Sequence, residues 1–184
     1  AAAAQRFNFW VLSDEIYSRL VYETPAPSIA NLPGMSERTV ICDGFSKTYA
    51  MTGWRLGYGI MPPALADRVE LLLTHSIGCT ASFTQIAGLR AIRGTQQPVD
   101  HVVAEYLRRR DVLVAGLNAI PGVSCRIPQG AFYAFPNITS FGRSSEWLAE
   151  YLLEKAGVAV LPGSAFGANG EGYLRICFAN SLEK

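Results

Sequence analysis

Ser46-Lys47-Thr48-Tyr49-Ala50-Met51-Thr52-Gly53-Trp54-Arg55-Leu56-Gly57-Tyr58 places one lysine between two hydroxyl residues and one arginine in a glycine-flanked turn eight positions later. Just before it, Thr39-Val40-Ile41-Cys42 is a β-branched apolar run ended by Asp43-Gly44. Further upstream, Phe9-Trp10-Val11-Leu12 is a second run, stopped by Ser13-Asp14-Glu15-Ile16-Tyr17. Continuous rather than alternating hydrophobicity predicts strands buried on both faces, as in a parallel sheet. Open sheets of that kind bind ligands outside the carboxyl ends of their strands, and both Asp14 and Lys47 follow such ends. An amine, a cation with hydroxyls suited to a phosphate, and a carboxylate suited to a cationic ring nitrogen are thereby drawn to one edge.

Taken singly, each residue also has a plainer reading. Lys47 in an isolated Ser-Lys-Thr is a solvated loop lysine. Asp14 can cap a helix starting at Ile16, with Glu15 as a first-turn carboxylate that needs no further role. Tyr17 can be ordinary packing, Trp54 core, and Gly53-Trp54-Arg55 a turn with a surface arginine. Arginine's planar fork, however, suits bidentate phosphate contact. Near the end, Tyr173-Leu174-Arg175-Ile176-Cys177-Phe178 alternates as a strand with a charge at its centre. That charge is costly unless paired. Arg175 is therefore either an edge-strand gatekeeper or a cation with a ligand.

The whole string resembles the fold-type-I, class I/II aminotransferases, with aspartate- and aromatic-type relatives. The resemblance runs from about Phe9 to the end of the chain. It implies pyridoxal 5'-phosphate as cofactor, whose binding enzymes supply a lysine amine and an acidic partner for the pyridine nitrogen. Carried over position by position, Lys47 is the catalytic lysine and moves a proton as general acid/base. Asp14 faces the pyridine nitrogen, Tyr17 hydrogen-bonds the ring oxygen, and Ser46 with Arg55 holds the phosphate. Arg175 clamps the substrate α-carboxylate. The implied reaction is a two-stage, ping-pong transfer of an amino group between an amino acid and a 2-oxo acid, in a homodimer. A carbon–sulfur lyase or synthase of the same fold, or a non-catalytic ligand-sensing regulator domain, are the alternatives. Ser76-Ile77-Gly78-Cys79-Thr80-Ala81-Ser82-Phe83-Thr84-Gln85 departs from the aspartate-type form, with Cys79 where asparagine is usual. The departure weakens a specific aspartate assignment.

The remaining pattern sets the architecture. Pro25, Pro27, Pro33 and Gly34 exclude a long helix between the first two strands, and Leu56–Met61 reads as a third. Helices are predicted over Pro62–Leu73, over Ser82–Ile92 with Phe83, Ile86, Ala87 and Ala91 inward, and over Val99–Ile120. The last has Val102, Val103, Tyr106, Leu107, Val112, Leu113 and Leu117 as its stripe, and Pro121-Gly122 as its stop. After Gly122 come short strands at Val123–Ile127, Ala131–Phe135, Val158–Leu161 and Tyr173–Phe178. Ser144 or Ser145 caps a helix through Lys155, with Trp147, Leu148, Tyr151 and Leu152 inward. The expected fold is α/β: residues 1–100 as a remnant of a large cofactor-binding domain built on a mostly parallel sheet with helices, then 101–184 as a smaller α+β domain, incomplete at its end. The resemblance also implies a parent about twice this long, so the chain reads as an internal fragment. Asn180-Ser181-Leu182-Glu183-Lys184 is a helix-start signature.

Composition excludes several classes. The net charge is +1, and the densest basic cluster, Arg108-Arg109-Arg110, reads as a solvated helix face. Neither nucleic acid nor membrane is an expected partner, and no apolar run nears the roughly 20 residues of a membrane span. Cys42, Cys79, Cys125 and Cys177 are far apart, and three lie in apolar surroundings as small buried hydrophobes. With His75 and His101 outside any ligand spacing, no metal site is expected, and a reducing, cytoplasmic setting is.

Overall fold

The computed structural model describes residues 1–182. Its contacts divide the chain into two compact units, Ala1–Asp100 and His101–Lys184. The helix-start signature at Asn180–Lys184 shows only the Ser181 amide bonded to Asn180 Oδ1 (2.9 Å), and Glu183 and Lys184 lie outside the described residues.

The first unit opens with α1 (Ala2–Phe7), an alanine-rich helix closed by Asn8 in the left-handed conformation. Its sheet contains β1 (Val11–Asp14), β2 (Thr39–Gly44) and β3 (Gly57–Ile60), in that order. β1 and β2 are parallel, from Val11 opposite Thr39 to Asp14 opposite Cys42. The connection between them holds only two short 3-10 turns, Ile29–Asn31 and Ser36–Arg38, as its prolines require. β3 runs antiparallel to β2, so the three strands make a mixed sheet rather than a parallel one. The connection from β2 to β3 contains one 3-10 turn, Thr52–Trp54, and no α-helix.

The expectation that β1 is buried on both faces fails: Leu12 is 72% exposed, and Phe9 and Trp10, outside the strand, are also exposed. The unit's core lies instead among Leu20, Met35, Phe45, Met51 and Val99. α2 (Pro63–Ser76) and α3 (Ser82–Arg93) form where the pattern predicts. On α3 the inward stripe is Thr84 and Gly88, with Ala87 and Ala91 half-buried, while Phe83 and Ile86 are exposed. Gly88 is there for space: a Cβ would collide with Leu56 and press on the Phe45 ring.

The second unit contains most of α4 (Gln97–Ala119), then α5 (Ser145–Ala156) and a sheet ordered β4-β6-β5. These strands are β4 (Tyr133–Ala134), β5 (Leu161–Pro162) and β6 (Leu174–Cys177), all antiparallel. Ile138, Ala149 and Leu174 make its core, with Leu148, Leu152 and Val160 packed on them. The strand expected at Val123–Ile127 is reduced to one bridge, Ser124 with Asn137. The Asn118 side chain takes both backbone groups of Cys125 (2.7 and 3.0 Å), substituting for a ladder.

Three further expectations are corrected. Trp147 and Tyr151 face outward and stack on each other at 5.1 Å, because Ala149 with Leu148 and Leu152 takes the inward face of α5. Val112 is exposed, and Val114 and Arg110 are the buried residues of that turn of α4. Arg110 is only 4% exposed, since its guanidinium bonds the Pro128 carbonyl and pairs with Asp111, so the basic triple is not wholly a solvated face. Among the cysteines, all free, only Cys125 is buried.

Candidate active site

Because β1 and β2 are parallel, their carboxyl ends share one edge, and that edge opens into a cleft of about 510 Å³. Its lining is Asp14, Ile16, Cys42, Asp43, Ser46, Lys47, Thr52 and Arg55. Four of the residues singled out in the sequence, Asp14, Ser46, Lys47 and Arg55, therefore meet in one place.

Each is positioned by local structure. Asp14 ends β1, and its Oδ1 accepts from the Ile16 amide (3.2 Å) in a short turn. No helix follows, so the helix-cap reading of Asp14 is excluded. Glu15, left without a role, is held by the Ser13 and Ser28 hydroxyls (3.1 and 2.6 Å). Ser46 and Lys47 ride on a turn in which the Tyr49 and Met51 amides both bond the Phe45 carbonyl (3.1 and 3.3 Å). Phe45, Thr48 and Met51 are buried and pin this turn to the core, leaving Ser46 and Lys47 half-exposed toward the cleft. The Tyr17 ring centroid lies 6.0 Å from Lys47 Nζ.

Arg55 follows the 3-10 turn Thr52–Trp54 with φ 52°, and its Nη1 donates to the Thr52 carbonyl (2.8 Å). Ala50, on the other side of that turn, has φ 53°. Left-handed backbone at non-glycine residues costs roughly 1–3 kcal/mol each and gathers at functional sites. Here two such residues flank the 3-10 turn that leads into the arginine. Trp54 is 45% exposed, so it is not the core residue the sequence suggests.

Asp43 is the cleft residue that sequence reasoning missed, having read it only as a strand terminator. Its Oδ1 accepts from the Gly44 amide (2.6 Å), and its Oδ2 from the Tyr58 hydroxyl (3.1 Å) and the Ser18 hydroxyl (3.4 Å). Partial burial, then the Asp43 charge and hydrogen bond, push the Tyr58 hydroxyl up to about 12. Tyr58 thus stays a proton donor to Asp43 across the physiological range. The aspartate's partner, Tyr58, is already present in the quoted string.

Arg175 belongs to the second unit. It lies on β6, the central strand of its sheet, so the edge-gatekeeper reading is excluded. Its guanidinium carbon lies 4.4 Å from the Tyr133 ring centroid and 4.6 Å from that of Phe166. No cluster of metal-ligating side chains occurs among the described residues, and no helix among them is long and apolar enough to cross a membrane.

The cleft's donor set has a definite chemistry: an amine, a carboxylate, a guanidinium and hydroxyls on one strand-end edge. A profile of the family described as aminotransferase class I and II matches residues 1–184. The chain belongs to that family. It is 47% identical over 184 residues to a putative aminotransferase, YugH, of Bacillus subtilis, covering 100% of this chain and 47% of that protein. It is 45% identical over 188 residues to an aspartate aminotransferase of Pyrococcus horikoshii, again covering 100% of this chain and 47% of the relative. The crystal structure of an aromatic aminotransferase from Pyrococcus horikoshii superimposes with a TM-score of 0.95 at 40% identity, over 99% of this chain and 49% of that one. The chain thus spans about half the length of the relatives it matches. Members of this family use pyridoxal 5'-phosphate, and the residues of the cleft fit it: cation and hydroxyl for the phosphate, carboxylate for the ring nitrogen, amine for the reactive carbon.

Proposed function

We propose that the protein transfers an amino group between an amino acid and a 2-oxo acid, using pyridoxal 5'-phosphate. The observation that carries this reading is the single cleft shared by Asp14, Ser46, Lys47 and Arg55. When bound, the cofactor supplies an electron sink for the bonds at the substrate α-carbon. Arg55 and the Ser46 hydroxyl hold the phosphate; the guanidinium fork makes the charge-assisted bonds. Asp14 keeps a proton on the pyridine nitrogen, since an opposite charge within hydrogen-bond reach shifts a pKa by roughly 1–3 units. The Tyr17 hydroxyl donates to the ring oxygen. Lys47 carries the cofactor, and its amine then takes a proton from the substrate α-carbon and returns one as general acid/base. Arg175 holds the α-carboxylate.

Residues 1–100 are then the carboxyl-terminal part of a large cofactor-binding domain, and residues 101–184 a small domain. A homodimer working in the cytoplasm is part of the same proposal, supported by the aminotransferase relatives and by four free cysteines. The test is an intact mass and peptide map of the full-length protein after borohydride reduction, beside an assay with amino acid and 2-oxo acid. One phosphopyridoxyl group on Lys47, with amino transfer, is the expected result. Absence of the group from Lys47 would sink the proposal. Release of ammonia and pyruvate without a 2-oxo acid would replace it with a carbon–sulfur lyase.

A further inference from the structure

We propose that Tyr133 and Phe166 are positioning residues whose ring faces hold the Arg175 guanidinium ready for a substrate carboxylate. This rests on the carboxylate role proposed above for Arg175.

The arrangement follows from strand register. Tyr133 on β4 pairs with Cys177 on β6, and Arg175 lies two residues before Cys177. Side chains two apart on a strand share a face, so Tyr133 is the diagonal neighbour of Arg175, within reach of long side chains. The measured 4.4 Å from guanidinium carbon to ring centroid meets that expectation.

Phe166 comes from a separate element, the 3-10 turn Gly163–Phe166, and supplies the second ring at 4.6 Å. That turn is fixed at its start, where the Gly163 amide donates to the Tyr173 carbonyl (2.8 Å). Gly163 and Gly170 also lie back to back: a Cβ on either would collide with the other's carbonyl oxygen. Phe166 is further braced edge-on by Phe135 at 6.1 Å, and Phe135 stacks on Tyr173 at 5.0 Å.

The consequence is chemical. A guanidinium donates its hydrogen bonds in its own plane, whereas the attraction of a ring acts through the ring's negative face. Ring contacts therefore restrain the side chain without using up its N–H donors. They also cut the freedom that a long side chain must otherwise lose when ligand binds.

The experiment compares full-length holoenzyme carrying Tyr133→Leu, Phe166→Leu, Tyr133→Phe or Arg175→Leu with the wild type. It reads KM and kcat for amino acid and 2-oxo acid, and melting temperature. Titration calorimetry gives the dissociation constants of succinate and 3-phenylpropanoate, carboxylates with no amino group to react. The two ring-to-leucine changes should raise both KM values and weaken carboxylate binding about tenfold, with kcat moving much less. Tyr133→Phe, which keeps the ring, should recover most of that loss. The phosphopyridoxyl adduct on Lys47 should form in every variant.

If Arg175→Leu weakens carboxylates but neither leucine variant does, the positioning role is overturned while the arginine keeps its own. A fall in melting temperature with unchanged KM and dissociation constants would equally reduce the rings to packing. If Arg175→Leu itself binds carboxylates as the wild type does, the proposal falls with its premise. A wild type that holds cofactor and carboxylates yet transfers no amino group would sink the aminotransferase reading, and the dissociation constants would still decide this one.

Discussion

The cleft of the first unit and the arginine nest of the second are built in opposite ways. The cleft is made by chain neighbours: Ser46, Lys47, Thr52 and Arg55 come from one stretch, brought to Asp14 by a parallel strand pair. The nest is made by chain strangers: Tyr133, Phe166 and Arg175 come from three elements that meet only through sheet register and a turn. The cleft is a set of mostly polar groups on a strand-end edge. The nest is a charge held among rings on a sheet with its own core. A contiguous motif can be read from sequence, whereas a register-built one must be seen.

The largest effect expected is at the cleft. Lys47→Ala should lower kcat/KM by about a thousandfold or more and abolish the reduction-stable adduct. A variant retaining both would leave the cleft without its central function. Next is the core under the nest. Leu174→Ala, at a position 3% exposed, should cost about 2–5 kcal/mol in urea unfolding, depending on how far the site collapses. A value near zero would show that the sheet carrying the nest lacks the packed core around Ile138, Ala149 and Leu174.

Gly88→Ala tests packing behind the cleft. Its methyl would meet Leu56 and Phe45, and overpacking of this kind costs about 1–3 kcal/mol. A stabilised variant would mean that Phe45 is held less firmly than its burial implies. Tyr58→Phe should cost about 1 kcal/mol through the lost hydrogen bond to Asp43.

That contribution also has a pH signature. The Tyr58 pKa is raised from 10.0 to about 12, so its stabilisation is complete below pH 10 and disappears as the pH rises through 12. The phenylalanine variant should lack this alkaline limb in unfolding measured against pH.

The smallest effect is on the acid side of α4. The Arg108 and Arg109 guanidinium groups bonded to Glu105 draw its carboxyl down from 4.5 to about 2. A depressed carboxyl stabilises above its ordinary pKa and loses that contribution as pH falls from 4.5 through 2. Glu105→Gln should therefore flatten the acid limb while hardly changing stability at neutral pH, because the three groups lie on the helix surface within reach of water and are screened.

Much of the first unit was legible because its chemistry is local. Lys47, Asp14 and Arg55 fall where strand-end logic puts them, and the prolines correctly exclude a crossover helix. What escaped depends on partners far along the chain. Asp43 looks like a strand terminator until Tyr58 and Ser18 are seen to bond it. Phe83 and Ile86 obey helical spacing, yet the inward stripe of α3 is set by Gly88 meeting Phe45 and Leu56. Arg110 looks solvated within a basic triple until Pro128 supplies its carbonyl. Arg175 was legible as a charge in need of a partner, while the partners themselves required the β4–β6 register.

The backs of Gly163 and Gly170 touch with no room for even one methyl group on either. Two hydrogen atoms thus act as the hinge pin of the turn that carries Phe166. A sequence drifting over generations could exchange Phe166 for another ring at little cost, but neither glycine could change unless the turn were rebuilt. The tolerance of this corner to redesign is set by its smallest residues, and a library that fixes these two and varies the ring would keep the most folded members.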